Sequence, residues 1–408
     1  MRLTILNQFY IPDLAPTGFV AASLAEHRAE LGDDVTVIAS RGGYVGTPSE
    51  FGKQASENPG IVRLWTPSLG KTHTLKRIID YAIFYFSAAA RMAALPRQDV
   101  IVSLTTPPFI AFAAVLHKLL HPSTRIILWS MDCYPEVIER AGLLQETSLP
   151  SRLMRWLNSR LFRQLDHLVC LDLAMMQLLT AQYVDEAHPL DASIIPNWEN
   201  ASQFPPYIEP PLWDKTNELD ITDSFVILYL GNAGFGHRFE TVVAAAKQLK
   251  DQQVVFLFVG GGEQWSWLEN AKLENKLDNL LLHSYIPKEQ TPSVMAFSHC
   301  ALITLHEDFA GVISPSKLHS NLAMSLPVVY VGPQDSNVDD AIRKFNFGVS
   351  LRHGEVDSLI QFISSLRDQP DLLEEYQKNA RTAFEKAYTD VQNLPLFDDI
   401  IKNIDPSS

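Results

Sequence analysis

Arg238 and Lys317 are the two cations of this chain set in segments suited to hold a bulky anion. Arg238 closes Tyr229-Leu-Gly-Asn-Ala-Gly-Phe-Gly-His-Arg238, where Gly231, Gly234 and Gly236 follow the apolar, β-rich run Phe225–Leu230. Phe239–Leu249 then shows helical apolar spacing at Val242, Val243, Ala246 and Leu249. Glycines let a backbone approach an anion closely. The helix behind them aims its N–H groups and positive dipole end at it, with Arg238 in its first turn. Lys317 lies in His306-Glu307-Asp308-Phe309 … Pro315-Ser316-Lys317-Leu318-His319, after the strand Cys300–Leu305. Pro315 suits a first helical turn, and Lys317 on that turn either reaches a diphosphate or is simply solvated. Asp132 follows the strand Arg125–Trp129 in Ser130-Met131-Asp132-Cys133-Tyr134-Pro135-Glu136. A carboxylate there either orients a hydroxyl and accepts its proton or caps a helix. The loop Asn7–Gly18, ending Pro16-Thr17-Gly18, either presents N–H groups to an anion or is an ordinary strand-to-helix turn.

Several familiar chemistries are excluded. Gly70-Lys71-Thr72 imitates the end of a P-loop, but Trp65 stands where that pattern needs a glycine. No G-x-G-x-x-G follows the first strand. No D-x-D, H-E-x-x-H, EF-hand loop or G-x-S-x-G elbow occurs either, so no metal and no cofactor are expected. Cys133, Cys170 and Cys300 form no C-x-x-C pair, which fits a reducing cytoplasm rather than a disulfide framework. The N-terminus runs straight into a strand pattern, so no signal peptide is expected.

These segments need rigid elements behind them. At 408 residues two domains are the natural expectation. In the first half the strand-like runs are Leu3–Asn7, Asp34–Ala39, Val100–Leu104, Arg125–Trp129, His167–Leu171 and Ser193–Ile195. They alternate with helical segments at Ala21–Leu31, Phe109–Leu120 and Arg152–Gln164. The second half repeats the scheme over Phe225–Leu230, Val254–Val259, Asn279–His283, Cys300–Leu305, Pro327–Val331 and Gly348–Leu351. Such alternation predicts an α/β chain of two doubly wound, Rossmann-like domains with parallel sheets. The boundaries read as 1–196 for the first domain, 197–223 for a Pro-rich linker and 224–390 for the second domain. The tail 391–408 is placed to pack back on the first domain. A ligand would then occupy the cleft between them, at the carboxyl ends of both sheets.

Charge is uneven. Residues 1–195 hold seventeen Lys/Arg against eighteen Asp/Glu, and residues 196–408 hold sixteen against twenty-nine, so nearly all of the net −14 falls in the second half. No basic face for nucleic acid is evident. The segment 72–95 has apolar residues at helical spacing, clustered aromatics and basic flanks, but its apolar run is too short to span a bilayer. It is either a core helix or an interfacial one lying on anionic lipid.

In this order the motifs resemble the family-4 glycosyltransferases, retaining enzymes of the GT-B fold, and more closely the branch that builds bacterial exopolysaccharide and O-antigen. The resemblance rests on Asn7–Gly18, Asp132-Cys-Tyr-Pro-Glu136, Ile195-Pro-Asn-Trp198, Gly231-Asn-Ala-Gly234, Gly260-Gly-Gly-Glu263 and Pro315-Ser-Lys-Leu318 with Leu322-Ala323. It implies two domains facing each other across a cleft, with Gly18 near the donor phosphates on the first domain's side. It also implies that Gly234, Arg238 and Lys317 hold the diphosphate, with Gly231, Asn232, Ser316 and Ser320 completing the donor set. Tyr285 matches the segment that packs on the base, Glu307 and Asp308 the loop facing the donor sugar, and Asp132 the acceptor side. The two glutamates usual in the family fall here at Val312 and Ser320, leaving Glu307 as the substitute.

The implied reaction moves a sugar from a nucleotide diphosphate donor to a hydroxyl acceptor on a lipid-linked or polysaccharide precursor, with retention and without a metal. The expected location is the cytoplasm, with peripheral contact to the membrane through 72–95. Two rival readings are a sugar-nucleotide epimerase and a non-catalytic partner of an active transferase.

Overall fold

Leu3, Thr4, Ile5 and Leu6 of strand β1 (Arg2–Leu6) are all buried, as a strand covered by helices on both faces requires. The same holds for β4 (Val100–Leu104) and β11 (Cys300–Thr304), neither of which alternates apolar with polar. The computed structural model describes residues 1–13, 15–41, 58–66, 74–204, 213, 219 and 221–404, with the backbone alone for 74–78 and 203. The motif Gly70-Lys71-Thr72 lies outside them. Contacts divide the chain into a first unit, 1–196 with 393–408, and a second, 197–392.

In the first unit β1, β2 (Asp34–Ser40), β3 (Gly60–Leu64), β4, β5 (Arg125–Trp129), β6 (His167–Cys170) and β7 (Ala192–Ile194) form a parallel sheet in the order 3-2-1-4-5-6-7. In the second, β8 (Phe225–Asn232), β9 (Val254–Gly261), β10 (Leu280–His283), β11, β12 (Val328–Val331) and β13 (Gly348–Leu351) form another, in the order 10-9-8-11-12-13. Both are doubly wound. Strand order reverses between β1 and β4 and between β8 and β11, and such reversals open a crevice at the strands' carboxyl ends.

Most strands match the sequence reading within a residue or two. β3 was not legible in it, because an edge strand of half-buried residues interrupted by Arg63 carries little apolar signal. The first helix runs Pro16–Glu30, earlier than Ala21, so Thr17 and Gly18 belong to its first turn. Within the stretch read as linker, Trp213 and Ile221 are buried, and Trp213 meets the His283 ring edge-on at 5.5 Å. Helix Asp390–Ile404 carries Phe397, Ile400 and Ile401 into the first unit. There Phe397 packs on Trp129 at 4.5 Å, and Asp398 accepts from Arg28 at 2.7 Å.

The helix expected at 72–95 runs Thr74–Ala94. Phe84, Ala88 and Met92, one turn apart, are fully buried, whereas Ile79 and Phe86 are exposed. Its inner face is therefore core, which corrects any reading of Phe84 as lipid-facing. No helix among the described residues is long and apolar enough to cross a membrane. Phe84→Ala should cost about 3–5 kcal/mol of stability, as truncating a packed core aromatic does, and Phe86→Ser almost none. Chemical denaturation of the two variants checks this; equal costs would refute the assignment of faces.

Candidate functional site

The second unit's crevice is built where β8 ends against β9. Gly231 has φ +118, a conformation that side chains rarely adopt, and it leaves Lys317 Cε 3.4 Å from where a Cβ would sit. A Cβ on Gly260, φ +150, would lie 2.1 Å from the Gly231 carbonyl oxygen, so the two strand ends approach as only glycine allows. β8 extends through Gly231 and Asn232, beyond the Leu230 expected.

Lys317 reaches this corner. Its Nζ donates to the Tyr229 hydroxyl and, at 3.2 Å, to the Asn232 carbonyl, and it sits 3.7 Å from the centre of the Tyr229 ring. The Tyr229 hydroxyl in turn donates to the Asn232 carbonyl at 2.8 Å. Burial holds the Tyr229 phenol well above its ordinary range, so it stays neutral and supplies no counter-charge. Lys317 is half-buried, and among the described residues no carboxylate pairs with it. Desolvation accordingly drives its pKa well below the usual lysine value. Sequence reasoning missed Tyr229; the available signal was a tyrosine ending an apolar strand just before a glycine.

Arg238 precedes the helix, which runs Glu240–Gln248 with Phe239 as its cap, so it is not in the first turn as expected. Its NH1 donates to Glu307 Oε2 at 3.2 Å, and its Nε lies 3.5 Å from Glu240 Oε2. The structure thus joins two expected site residues as an ion pair on the surface. In Glu307, burial raises the pKa, but its own backbone N–H, the nearby His353 and Arg238 outweigh it, and the net shift is downward. His237 Nδ1 donates to the Thr304 carbonyl at 2.7 Å and ties the glycine turn to β11. Burial first, then the charge on Lys317, lowers its pKa to about 3, so this ring is neutral.

The remaining expected residues of this unit are placed as follows. Tyr285 is exposed over the end of β9, its hydroxyl 3.4 Å from Asn232 Oδ1 and its ring where a side chain on Gly261 would stand. Gly234 opens the turn whose carbonyl accepts from His237 N at 3.1 Å. Ser316 is exposed just before helix Lys317–Ala323, which leaves Pro315 two residues outside it rather than in its first turn. Ser320 donates to the Lys317 carbonyl at 3.3 Å, and Val312 is fully buried. Arg343 pairs with all three carboxylates of the acidic trio Asp335, Asp339 and Asp340, and Arg352 pairs with Asp339 as well.

In the first unit Gly18 lets helix Pro16–Glu30 press on the Phe9–Tyr10 backbone, where a Cβ would come within 3.3 Å of Tyr10 Cα. Asp132 sits at the carboxyl end of β5. Thr105 Oγ1, after β4, accepts from the backbone N–H groups of Met131 at 3.0 Å and Asp132 at 3.2 Å. Asp132 does not cap the following helix, Glu136–Arg140, whose cap is Pro135 without a side-chain bond. Its carboxylate faces a small cavity lined by Thr105, Phe109, Tyr134 and Asn158, and burial raises its pKa to about 6. Glu136, which closes the same motif and was assigned no role of its own, is buried and accepts from the Tyr183 hydroxyl.

Two parallel, doubly wound units with this crevice chemistry define a glycosyltransferase of the GT-B fold. A glycosyl transferase 4-like domain matches residues 17–198 and the glycosyl transferases group 1 domain matches 213–383, so the chain belongs to the glycosyltransferases. It is similar to the probable glycosyltransferase WbjE of Pseudomonas aeruginosa, at 24% identity over 310 residues and 74% of each chain. Among solved structures it matches Anabaena Alr3699/HepE in complex with UDP-glucose, with TM-score 0.71 at 14% identity over 99% of this chain and 100% of that one. It also matches WaaG, a glycosyltransferase involved in lipopolysaccharide biosynthesis, with TM-score 0.65 at 15% identity and the same coverage. At these identities the structural likenesses concern the fold.

The titration of Asp132 carries a sign. A folded-state pKa of about 6, above the ordinary 3.8, favours the neutral acid, so its stabilising contribution is present below about pH 4 and lost as pH rises through about 6. Asp132→Asn should abolish that loss, and its melting temperature should gain on the wild type across this window. A constant difference between the two proteins would refute the raised pKa.

Proposed function

We propose that this glycosyltransferase moves a sugar from a nucleotide diphosphate donor to a hydroxyl acceptor on a lipid-linked or polysaccharide precursor, with retention of configuration and without a metal. The observation that carries the reading is the Lys317 ammonium, held by Tyr229 and Asn232 beside Gly231 with no carboxylate partner among the described residues. A half-buried cation with only neutral acceptors is stabilised by an incoming anion, and a leaving diphosphate develops its charge at such a place. Crystals of HepE with UDP-glucose support a donor of this chemical class.

Arg238 joins this clamp by exchanging partners. An exposed ion pair such as Arg238–Glu307 contributes about 0–1 kcal/mol, while a charge-assisted bond to phosphate contributes roughly 1.5–3. The diphosphate therefore wins the guanidinium and frees Glu307 toward the donor sugar. Tyr285, exposed at the end of β9, offers its ring to the base. Gly231, Asn232, Gly234, Ser316 and Ser320 complete the donor set. In the first unit Gly18 admits the donor phosphates and Asp132 accepts the hydrogen bond of the acceptor hydroxyl. Its pKa of about 6 leaves it mostly ionised at neutral pH.

Lys317→Ala and Arg238→Ala should each lower turnover by about tenfold or more, as loss of a charge-assisted contact to the transition state implies. Near-normal transfer by the double variant would overturn the clamp. Proton couplings of the product's anomeric centre test retention, and turnover after exhaustive chelation tests metal independence. Glu307→Gln separates two roles. If Glu307 contacts the donor sugar, kcat falls; if it only competes for Arg238, KM for the donor falls and kcat is unchanged.

A further inference from the structure

One helix of the first unit buries Leu161 and Phe162 at its end but turns three large apolar residues of its earlier turns outward. In Leu149–Phe162 the buried residues include Ser151 and Asn158, while Leu149, Leu153 and Trp156 are 79%, 56% and 53% exposed. Positions 149, 152, 153, 156 and 160 recur at helical spacing along one stripe that continues to 163. They hold Leu, Arg, Leu, Trp, Arg and Arg. No carboxylate occurs between Thr147 and Leu165, in a chain of net charge −14. Arg152 and Arg160 have no carboxylate partner among the described residues, and the Arg160 guanidinium lies 5.3 Å from the centre of the Trp156 ring. Arg163 pairs with Asp185 at 3.2 Å on the surface.

This face cannot roll inward. The Ser151 hydroxyl donates to buried Glu139, Arg155 Nε donates to the same carboxylate at 3.2 Å, and Asn158 Nδ2 donates to the Tyr134 carbonyl. Rotation that hid the leucines would strand a buried carboxylate, the costlier outcome. A second apolar edge adjoins it. Lys118, which donates to the Gln164 carbonyl at 2.8 Å, is followed by Leu119 and Leu120, 69% and 54% exposed.

We propose that this stripe is where the chain lies on an anionic lipid surface. Leu149, Leu153 and Trp156 enter the boundary between headgroups and acyl chains, and Arg152 and Arg160 meet the lipid phosphates. Leucine, tryptophan and arginine on one face, with no acid among them, are the chemistry of an interfacial helix. A second copy of this chain fits less well, because a twofold contact would set this cationic stripe against itself. This contact is separate from the one expected of 72–95 and rests on a different helix. The inference needs no particular donor or acceptor.

The test uses the full chain in flotation assays with vesicles of phosphatidylglycerol and phosphatidylcholine, and with phosphatidylcholine alone. The wild type should float with the anionic vesicles and lose binding as salt rises. L153S/W156S and R152Q/R160Q should each lower partitioning by about tenfold or more with melting temperatures unchanged. Wild-type protein that ignores anionic vesicles, or variants that float as it does, would overturn the proposal. So would sedimentation velocity showing a dimer that L153S/W156S dissolves without any vesicle binding. Transfer to a soluble acceptor should be the same in all these proteins, so a failure here leaves the proposed reaction standing.

Discussion

The ammonium of Lys317 is the charge around which the second unit's crevice is arranged. It is held by a neutral phenol, a backbone carbonyl and a ring face, each of which attracts a cation without cancelling it. The geometry that brings it there is costly elsewhere. Gly231 must take a left-handed φ, and Gly260 must give up any side chain so that β8 and β9 end together. His237, next in the turn, stays neutral partly because Lys317 is charged. Gly231, Tyr229 and His237 all face this one lysine, for which no carboxylate partner stands among the described residues.

Parallel strands explain why this corner exists at all. In both units the order of strands reverses beside the first strand, β1 or β8, so the helices that follow its two neighbours leave on opposite faces. The loops at the reversal are then free of helical cover. Asp132 occupies the strand end one place further along, after β5, and is tied back to the loop after β4 through Thr105. A hydroxyl that accepts two backbone N–H groups fixes where the carboxylate stands without touching the carboxylate itself.

Much of this was readable from residue order. Among the described residues twelve of the thirteen strands were legible as short apolar or β-branched runs, most plainly those buried on both faces, which have no polar alternation to blur them. Gly231 and Lys317 were each singled out by type and place, a glycine at a strand end and a lysine after a proline, and the structure brings these two together. Three kinds of fact were not. β3, at a sheet edge, is half-buried and carries an arginine. The Arg238–Glu307 pair joins residues far apart in sequence, and spacing says nothing about such partners. The inward face of Thr74–Ala94 depends on which side of an evenly apolar helix meets the sheet, and aromatics at adjacent positions leave that choice to packing.

The segment after β5 links chemistry to surface. Asp132 opens it, Tyr134 offers its carbonyl to Asn158, and Glu139 closes it by gathering Ser151 and Arg155. Buried polar groups of this kind contribute little net stability, but leaving one unpaired costs more than exposing a leucine. The roll of the helix Leu149–Phe162 is therefore set by its buried polar residues together with Leu161 and Phe162 at its end. An exposed Leu–Trp–Arg face is what remains once that constraint is met. Because the same short segment sets Asp132 and the roll of this helix, that carboxylate and the outward stripe hold a fixed relation within the first unit.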